Sequence, residues 1–189
     1  MYNSERQRYG RNKQLSINHA YIESGEYRRK FDMISQNPQL NRIIFDLCKK
    51  SLIHRSGTLF EDMYWIDTDT LEIIASVTDS KISQEVRYTK SIKKAIKMHK
   101  HILTIHSHPM SGPPSIDDFN SNYSHEYELG VICCHDGRVY VYKSEQFVSP
   151  MYYKLKLAQQ SETDFNQAQL NVLAEIKKDF AISYKEVIV

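Results

Sequence analysis

The stretch that decides the fold reads Ile102-Leu103-Thr104-Ile105-His106-Ser107-His108-Pro109, and after a short turn it continues as Ser115-Ile116-Asp117-Asp118. The apolar run at its start predicts a buried strand, and Pro109 ends that strand because proline lacks the backbone donor that a sheet requires. The segment Ser111-Gly112-Pro113-Pro114 has the composition of a turn. Ser115 then precedes a predicted helix as its N-cap, with Asp118 at the end of a Ser-x-x-Asp capping pattern. The sequence therefore predicts a strand, a turn and a helix in direct succession.

Two histidines and one aspartate of this stretch can converge on one point. His106 and His108 are two positions apart on the predicted strand, so their side chains lie on the same side of the sheet. Asp118, at the start of the following helix, can reach the same point after the turn. Two imidazoles and a carboxylate leave one position of a tetrahedral zinc ion open, which is typical of a catalytic rather than a structural site. Each of the two motifs also has an ordinary structural explanation. Ser-x-x-Asp commonly caps helices, and the histidines of His-x-His can be two unrelated strand residues.

At these residues the chain resembles the JAMM metalloproteases, the zinc-dependent family of MPN domains. Their pattern is an upstream Glu, then His-x-His-Pro, a short loop and Ser-x-x-Asp. The loop here is one residue shorter than the commonest form and is similar to a bacterial and phage-associated branch, which leaves Asp117 as the alternative to Asp118. The segment His54-Arg55-Ser56-Gly57-Thr58, with Glu61-Asp62 after it, also resembles that branch. The resemblance covers about residues 20–145.

The resemblance implies a fold and a set of roles. The expected fold is α/β in the mixed α+β sense, a curved mixed β-sheet flanked by helices in the cytidine deaminase-like architecture of JAMM domains. The implied metal ligands are His106, His108 and Asp118. Glu61 would be the general base and Ser115 the hydrogen-bond donor to the developing oxyanion. Residue chemistry alone does not choose the base, and Glu72 and Glu85 stay open beside Glu61.

Composition bounds the class of protein. The 189 residues are 41% hydrophobic and 25% charged with a net charge of +2, which suits one packed domain with extensions. We expect a basic, polar tail over residues 1–20, the metalloprotease-like domain over 21–145 and a helical extension over 146–189. The basic start lacks the apolar run of a secretory signal, no stretch has the length of a membrane span, and the expected compartment is the cytoplasm. Three cysteines do not form a disulfide framework.

Periodicity predicts the remaining elements. Asn37-Pro38 is typical of a helix start, Asp136-Gly137 of a hairpin turn, and Ser161 is the predicted cap of one long C-terminal helix. The predicted helices span residues 38–52, 91–100, 115–127 and 161–180, and the predicted strands span 60–67, 71–78, 102–106, 130–134 and 138–142.

The predicted function is hydrolysis of an amide bond by a zinc-dependent peptidase or isopeptidase. The expected partner is a protein or peptide substrate, either the tail of a ubiquitin-like protein or a phage structural protein, and neither a membrane nor nucleic acid is expected. Three other interpretations stay open: a non-catalytic binding module on the same fold, a RadC-like protein associated with DNA or a mobile element, and an accessory of phage head assembly. The sequence leaves the oligomeric state open.

Overall fold

The computed structural model describes residues 12–162 and 164–189. Most of the predicted basic tail, with Arg6, Arg8 and Arg11, therefore lies outside the described residues, whereas Lys13 begins a short 3-10 turn, Lys13–Leu15. Six strands of the described part form one sheet: β1 (Met63–Asp67), β2 (Ile73–Val77), β3 (Ile102–His108), β4 (Leu129–Cys134), β5 (Val139–Ser144) and β6 (Ile182–Glu186).

The sheet is mixed. Its strand order is β2-β1-β3-β4-β5-β6, and every neighbouring pair is antiparallel except β3 and β4. A parallel pair cannot be joined by a tight turn, and the crossover between β3 and β4 carries a helix, α5 (Ile116–Ser124). The structure thus confirms the predicted class, a mixed α and β fold with helices beside a mixed sheet.

Helices cover both faces of this sheet. On one face α3 packs against β3 and β4, and its Ile44, Leu47 and Leu52 share a core with Ile105 and Val131. The other face is covered by α5 and by the two C-terminal helices. The helices are α1 (His19–Ile22), α2 (Gly25–Phe31), α3 (Pro38–Arg55), α4 (Lys90–Ile96), α5, α6 (Pro150–Ala158) and α7 (Phe165–Ile176). In the described part of the chain, no helix combines the length and the apolar character needed to cross a bilayer.

Most local predictions are confirmed. Helix α3 starts at Pro38 with the Asn37 side chain accepting hydrogen bonds from two backbone N–H groups of its first turn. Ser115 is the N-cap of α5, and both predicted hairpins form, as β1–β2 and β4–β5. The helix predicted over residues 91–100 is α4, which begins at Lys90 and ends earlier, at Ile96.

The C-terminal prediction was wrong in its extent. Instead of one helix over 161–180, α7 begins at Phe165, because Asp164, not Ser161, caps it by accepting a hydrogen bond from the Gln167 backbone N–H at 2.8 Å. The chain after α7 is not helical, since Ile182–Glu186 extends along β5 as the edge strand β6. This strand is short and mostly exposed, and it has only one fully buried side chain, so its sequence has little of the apolar pattern that identifies strands.

Candidate metal centre

His106 and His108 lie on the same face of β3, as their spacing predicts. Their Nε2 atoms are 3.0 Å apart, and both rings are largely buried, with side-chain exposures of 5% and 13%. They face the layer that contains α5, where the His106 ring meets the edge of Tyr142. Strand β3 thus places two imidazole nitrogen atoms at one cavity.

Asp118 completes the group from the first turn of α5. Its Oδ1 is 3.1 Å from His106 Nε2, and its Oδ2 is 3.4 Å from His108 Nε2. One ligand atom from each of the three residues lies within 4.8 Å of the others, and zinc bonds of about 2.0–2.2 Å put two ligands of a tetrahedral ion about 3.3 Å apart, so the three residues are close enough to share one ion. Within the described residues this is the one group of three or more His, Cys, Asp or Glu that could hold a metal ion. Asp117, the alternative ligand, is exposed and outside the group.

Ser115 holds Asp118 in place through a capping box. The Ser115 hydroxyl and its backbone N–H both donate to Asp118 Oδ2 at 2.7 Å, and the Asp118 backbone N–H donates back to Ser115 Oγ at 3.2 Å. The predicted cap is therefore present. It also orients the carboxylate, since two of the three bonds end on the oxygen nearest to His108.

The two histidines differ in what holds their second nitrogen. His108 Nδ1 lies 3.1 Å from the carbonyl oxygen of Gly112, an acceptor that requires the proton on Nδ1 and leaves Nε2 free to bind a metal. His106 Nδ1 is buried and has no hydrogen-bond partner among the described residues. Its ring is instead held by the strand backbone and by packing, with 4% of the residue exposed.

Strand register brings Glu61 to the histidines. Met63 pairs with His106 in the antiparallel β1–β3 ladder, and the backbone pairing continues one residue further, because Ser107 N–H donates to the Asp62 carbonyl at 3.2 Å. The Ser107 hydroxyl also accepts from the Asp62 N–H at 3.1 Å. The next residue, Glu61, therefore falls opposite His108, on the same face as both histidines.

Glu61 is a buried carboxylate in the same cavity as His106, His108 and Asp118. Only 8% of the residue is exposed, and burial raises the pKa of Glu61 while the neighbouring histidines act to lower it. No other described residue forms a hydrogen bond or an ion pair with its side chain. Of the two open alternatives, Glu72 is exposed on the β1–β2 hairpin, and Glu85 reaches the cavity but is ion-paired with Arg87 at 2.7 Å.

A buried ion pair supports the segment that carries Glu61. Arg55, at the end of α3, donates to Asp62, and both side chains are fully buried. His54 Nδ1 lies 2.7 Å from the second oxygen of the same carboxylate. Sequence reasoning placed these residues only by resemblance and gave none of them a role. A charged residue directly before a buried Ser-Gly-Thr turn was the one available signal.

Electrostatics within the metal-free group favour opposite charges on His108 and Asp118. Burial alone lowers the pKa of His108, but the hydrogen bond and charge of Asp118 outweigh it and raise that pKa to about 9. Burial likewise raises the pKa of Asp118, and the two histidines reverse this effect and hold it well below its usual range. A divalent cation would replace the proton as the positive partner of this carboxylate.

The group opens into a cavity of about 690 Å³. One wall is the connection between β2 and α4, with Glu85 and Tyr88, and another is the start of α7, with Phe165 and Asn166. Of the described residues, five carboxylates and no Lys or Arg line the cavity. Its lining residues at the metal centre and on the acidic walls are Glu61, Glu85, His106, His108, Ser115, Asp117, Asp118 and Asp164.

No protein-family model, curated protein or solved structure matches this chain. The family resemblance therefore stays a prediction, and function has to be argued from the geometry of the site.

Proposed function

We propose that the protein is a zinc-dependent peptidase or isopeptidase of the JAMM type, with His106, His108 and Asp118 as metal ligands. The observation that carries this proposal is the position of Glu61, a buried carboxylate that lines the same cavity as both histidines and forms no hydrogen bond or ion pair with another described residue. Burying such a group costs free energy that its attraction to the histidines recovers only in part, because the pKa of Glu61 stays raised, and catalytic sites commonly contain perturbed carboxylates of this kind.

The donor set suits zinc. Two imidazole nitrogens and one carboxylate oxygen leave an open position, and bound zinc lowers the pKa of a coordinated water and polarises a carbonyl oxygen. Glu61 would then take the proton of the attacking water and deliver it to the leaving amine. Ser115 orients Asp118 through its hydroxyl and backbone N–H groups.

The proposed role of Ser115 at the oxyanion makes an additional demand on its hydroxyl group. Its single proton is directed to Asp118 Oδ2 in this structure, so it must turn away before it can donate to substrate. Orientation of Asp118 is thus the role that the contacts support directly, and oxyanion stabilisation is the further prediction that a turnover measurement must test.

Charge favours a polypeptide substrate over nucleic acid. Among the described residues the cavity is lined by five carboxylates and by no Lys or Arg, so this lining would repel a phosphate backbone. This supports a protein or peptide partner, a ubiquitin-like tail or a phage structural protein, and weighs against the interpretation as a DNA-associated RadC-like protein. The cytoplasm remains the compartment that we propose.

Three preparations of the protein test the proposal: zinc-loaded wild type, chelated wild type and zinc-loaded Glu61→Gln. Each is incubated with host or phage lysate, and new peptide termini are read by mass spectrometry. We expect termini from the zinc-loaded wild type alone, with Glu61→Gln keeping its zinc and losing on the order of 10²- to 10⁴-fold in rate. Equal zinc binding without new termini would favour a binding module or a head-assembly accessory, and equal activity of Glu61→Gln would assign the base elsewhere.

A further inference from the structure

We propose that helix α7 helps to position a ligand of the metal centre. Asn166 is a positioning residue that fixes the orientation of His108 through the loop 109–114. This inference rests on the metal site of the proposed function and extends it to a segment far outside the strand, turn and helix that supply the ligands. Three contacts connect α7 to His108: one from α7 to the loop backbone, one from α7 to Gly112, and one from Gly112 to His108.

The first contact ties α7 to the loop backbone. Asn166, in the first turn of α7, donates its side-chain N–H to the carbonyl oxygen of Met110 at 3.1 Å. On the other side of the loop, Arg138 donates to the carbonyl oxygen of Ser111 at 2.7 Å. Two consecutive loop carbonyls are therefore held by side chains from two elements, and only one of these, Arg138, belongs to the sheet hairpin next to β3.

The second contact is a close approach of α7 to Gly112. A Cβ atom at this position would lie 3.1 Å from Asn166 Oδ1 and 3.3 Å from Gln169 Oε1, closer than ordinary van der Waals contact. The backbone of Gly112 does not have positive φ, so the reason for glycine here is space rather than conformation. Helix α7 thus lies in close contact with the loop at Gly112, the residue whose carbonyl oxygen accepts a hydrogen bond from His108.

The third contact transmits this position to a ligand. The Gly112 carbonyl accepts the Nδ1–H of His108 at 3.1 Å, which sets the ring orientation and presents Nε2 to Asp118. The part of the chain that the structure describes offers His106 Nδ1 no such partner, and His106 lies within the strand. His108 is the last residue of β3, so it depends on the loop in a way that His106 does not.

Loss of the Asn166 contact should therefore weaken zinc binding without removing any ligand. Substitution of groups that orient metal ligands typically costs about 10- to 100-fold in affinity. We expect a loss in this range for Asn166→Ala, and a similar one for Gly112→Ala, whose added methyl group pushes the loop away from α7. Because both substitutions act on one contact, their combination should cost less than the product of the single losses.

The test measures zinc affinity by competition with a chelator for wild type, Asn166→Ala, Gly112→Ala and the double variant. The matched control is Gln167→Ala, which removes the adjacent exposed side chain of α7, bonded to Asn171 on the same helix. The control should bind zinc as the wild type does. A thermal melt of each metal-free protein separates loss of affinity from loss of folding.

A second readout needs no metal. In the metal-free wild type, the Nδ1 proton of His108 should exchange slowly with solvent in an NMR spectrum because Gly112 accepts it, and Asn166→Ala should accelerate that exchange. Unchanged affinity and unchanged exchange in Asn166→Ala, or an equal loss in Gln167→Ala, would overturn the inference. A wild type that binds no zinc would instead refute the proposed function, and the proton exchange would still decide the positioning role.

Discussion

Replacing Ser115 by alanine separates the structural role of this residue from its proposed catalytic one. The substitution removes two bonds of the capping box, the one that Ser115 Oγ accepts from the Asp118 N–H at 3.2 Å and the one that it donates to Asp118 Oδ2 at 2.7 Å. The backbone bond from Ser115 to the same carboxylate oxygen remains. The variant therefore keeps one of the two bonds that orient Asp118.

The magnitudes follow from these bonds. Loss of a serine cap costs about 1 kcal/mol, and the charge-assisted bond to Asp118 adds a contribution of similar size, so the free energy of unfolding should fall by about 1–2 kcal/mol. In a protein of this size each kcal/mol lowers the melting temperature by about 2–4 °C. One of the two hydrogen bonds that orient Asp118 remains. Zinc affinity should therefore fall by about tenfold, the lower end of the loss caused by removing groups that orient metal ligands.

The assay compares melting, zinc affinity and turnover at matched zinc occupancy. The control is Ser24→Ala, which removes an N-cap bond of similar length, 3.1 Å, from α2. Both variants should lose stability, and only Ser115→Ala should lose zinc affinity. If Ser115 also stabilises the oxyanion, turnover should fall by roughly 10²-fold with substrate binding nearly intact. Equal zinc affinity in the two variants would refute the argument that the capping box orients the metal ligand.

Three further predictions test other contacts. Asp118→Ala should abolish tight zinc binding while Asp117→Ala leaves it unchanged, as measured by metal content after dialysis, and the reverse result would exchange the ligand. Asp62→Asn removes the charge of a buried carboxylate that both Arg55 and His54 contact, and should cost about 3–5 kcal/mol in a denaturant melt; a cost under about 1 kcal/mol would contradict the importance of this ion pair. Backbone N–H groups of the hairpin turn, with His99, lower the pKa of Asp67 to about 2. Its stabilisation is present above its ordinary pKa of about 3.8 and is lost as the pH falls towards 2, so Asp67→Asn should flatten the acid side of the stability profile, and an unchanged profile would refute this origin.

The local part of the candidate site could be predicted from sequence because its geometry is local. The alternation of side chains on β3 places His106 and His108 together, and the capping pattern places Asp118 at the start of α5. Glu61 was different, since its position depends on the pairing of β1 with β3, and no spacing within the chain encodes that register. Only the family resemblance pointed to it, and the structure puts it opposite His108.

The C-terminal part escaped prediction for a related reason. Strand β6 is an edge strand with one apolar side chain facing the core, and its pairing partner β5 is distant in sequence. The contact of Asn166 with Met110 is equally non-local and involves a polar side chain on a partly exposed helix face. Neither feature leaves a periodic pattern, so sequence reasoning treated residues 146–189 as a helical extension.

The proposed metal ligands and the cavity wall that α7 forms are synthesised at different times. The ribosome makes His106, His108 and Asp118 before it makes the start of α7, whose side chains line the cavity and contact Met110. A nascent chain that has emerged only as far as α5 contains every proposed metal ligand, yet it lacks one wall of the cavity and the strands β4, β5 and β6. Domains generally fold as units during synthesis. The full cavity can therefore form only after residues 164–169 have emerged from the ribosome.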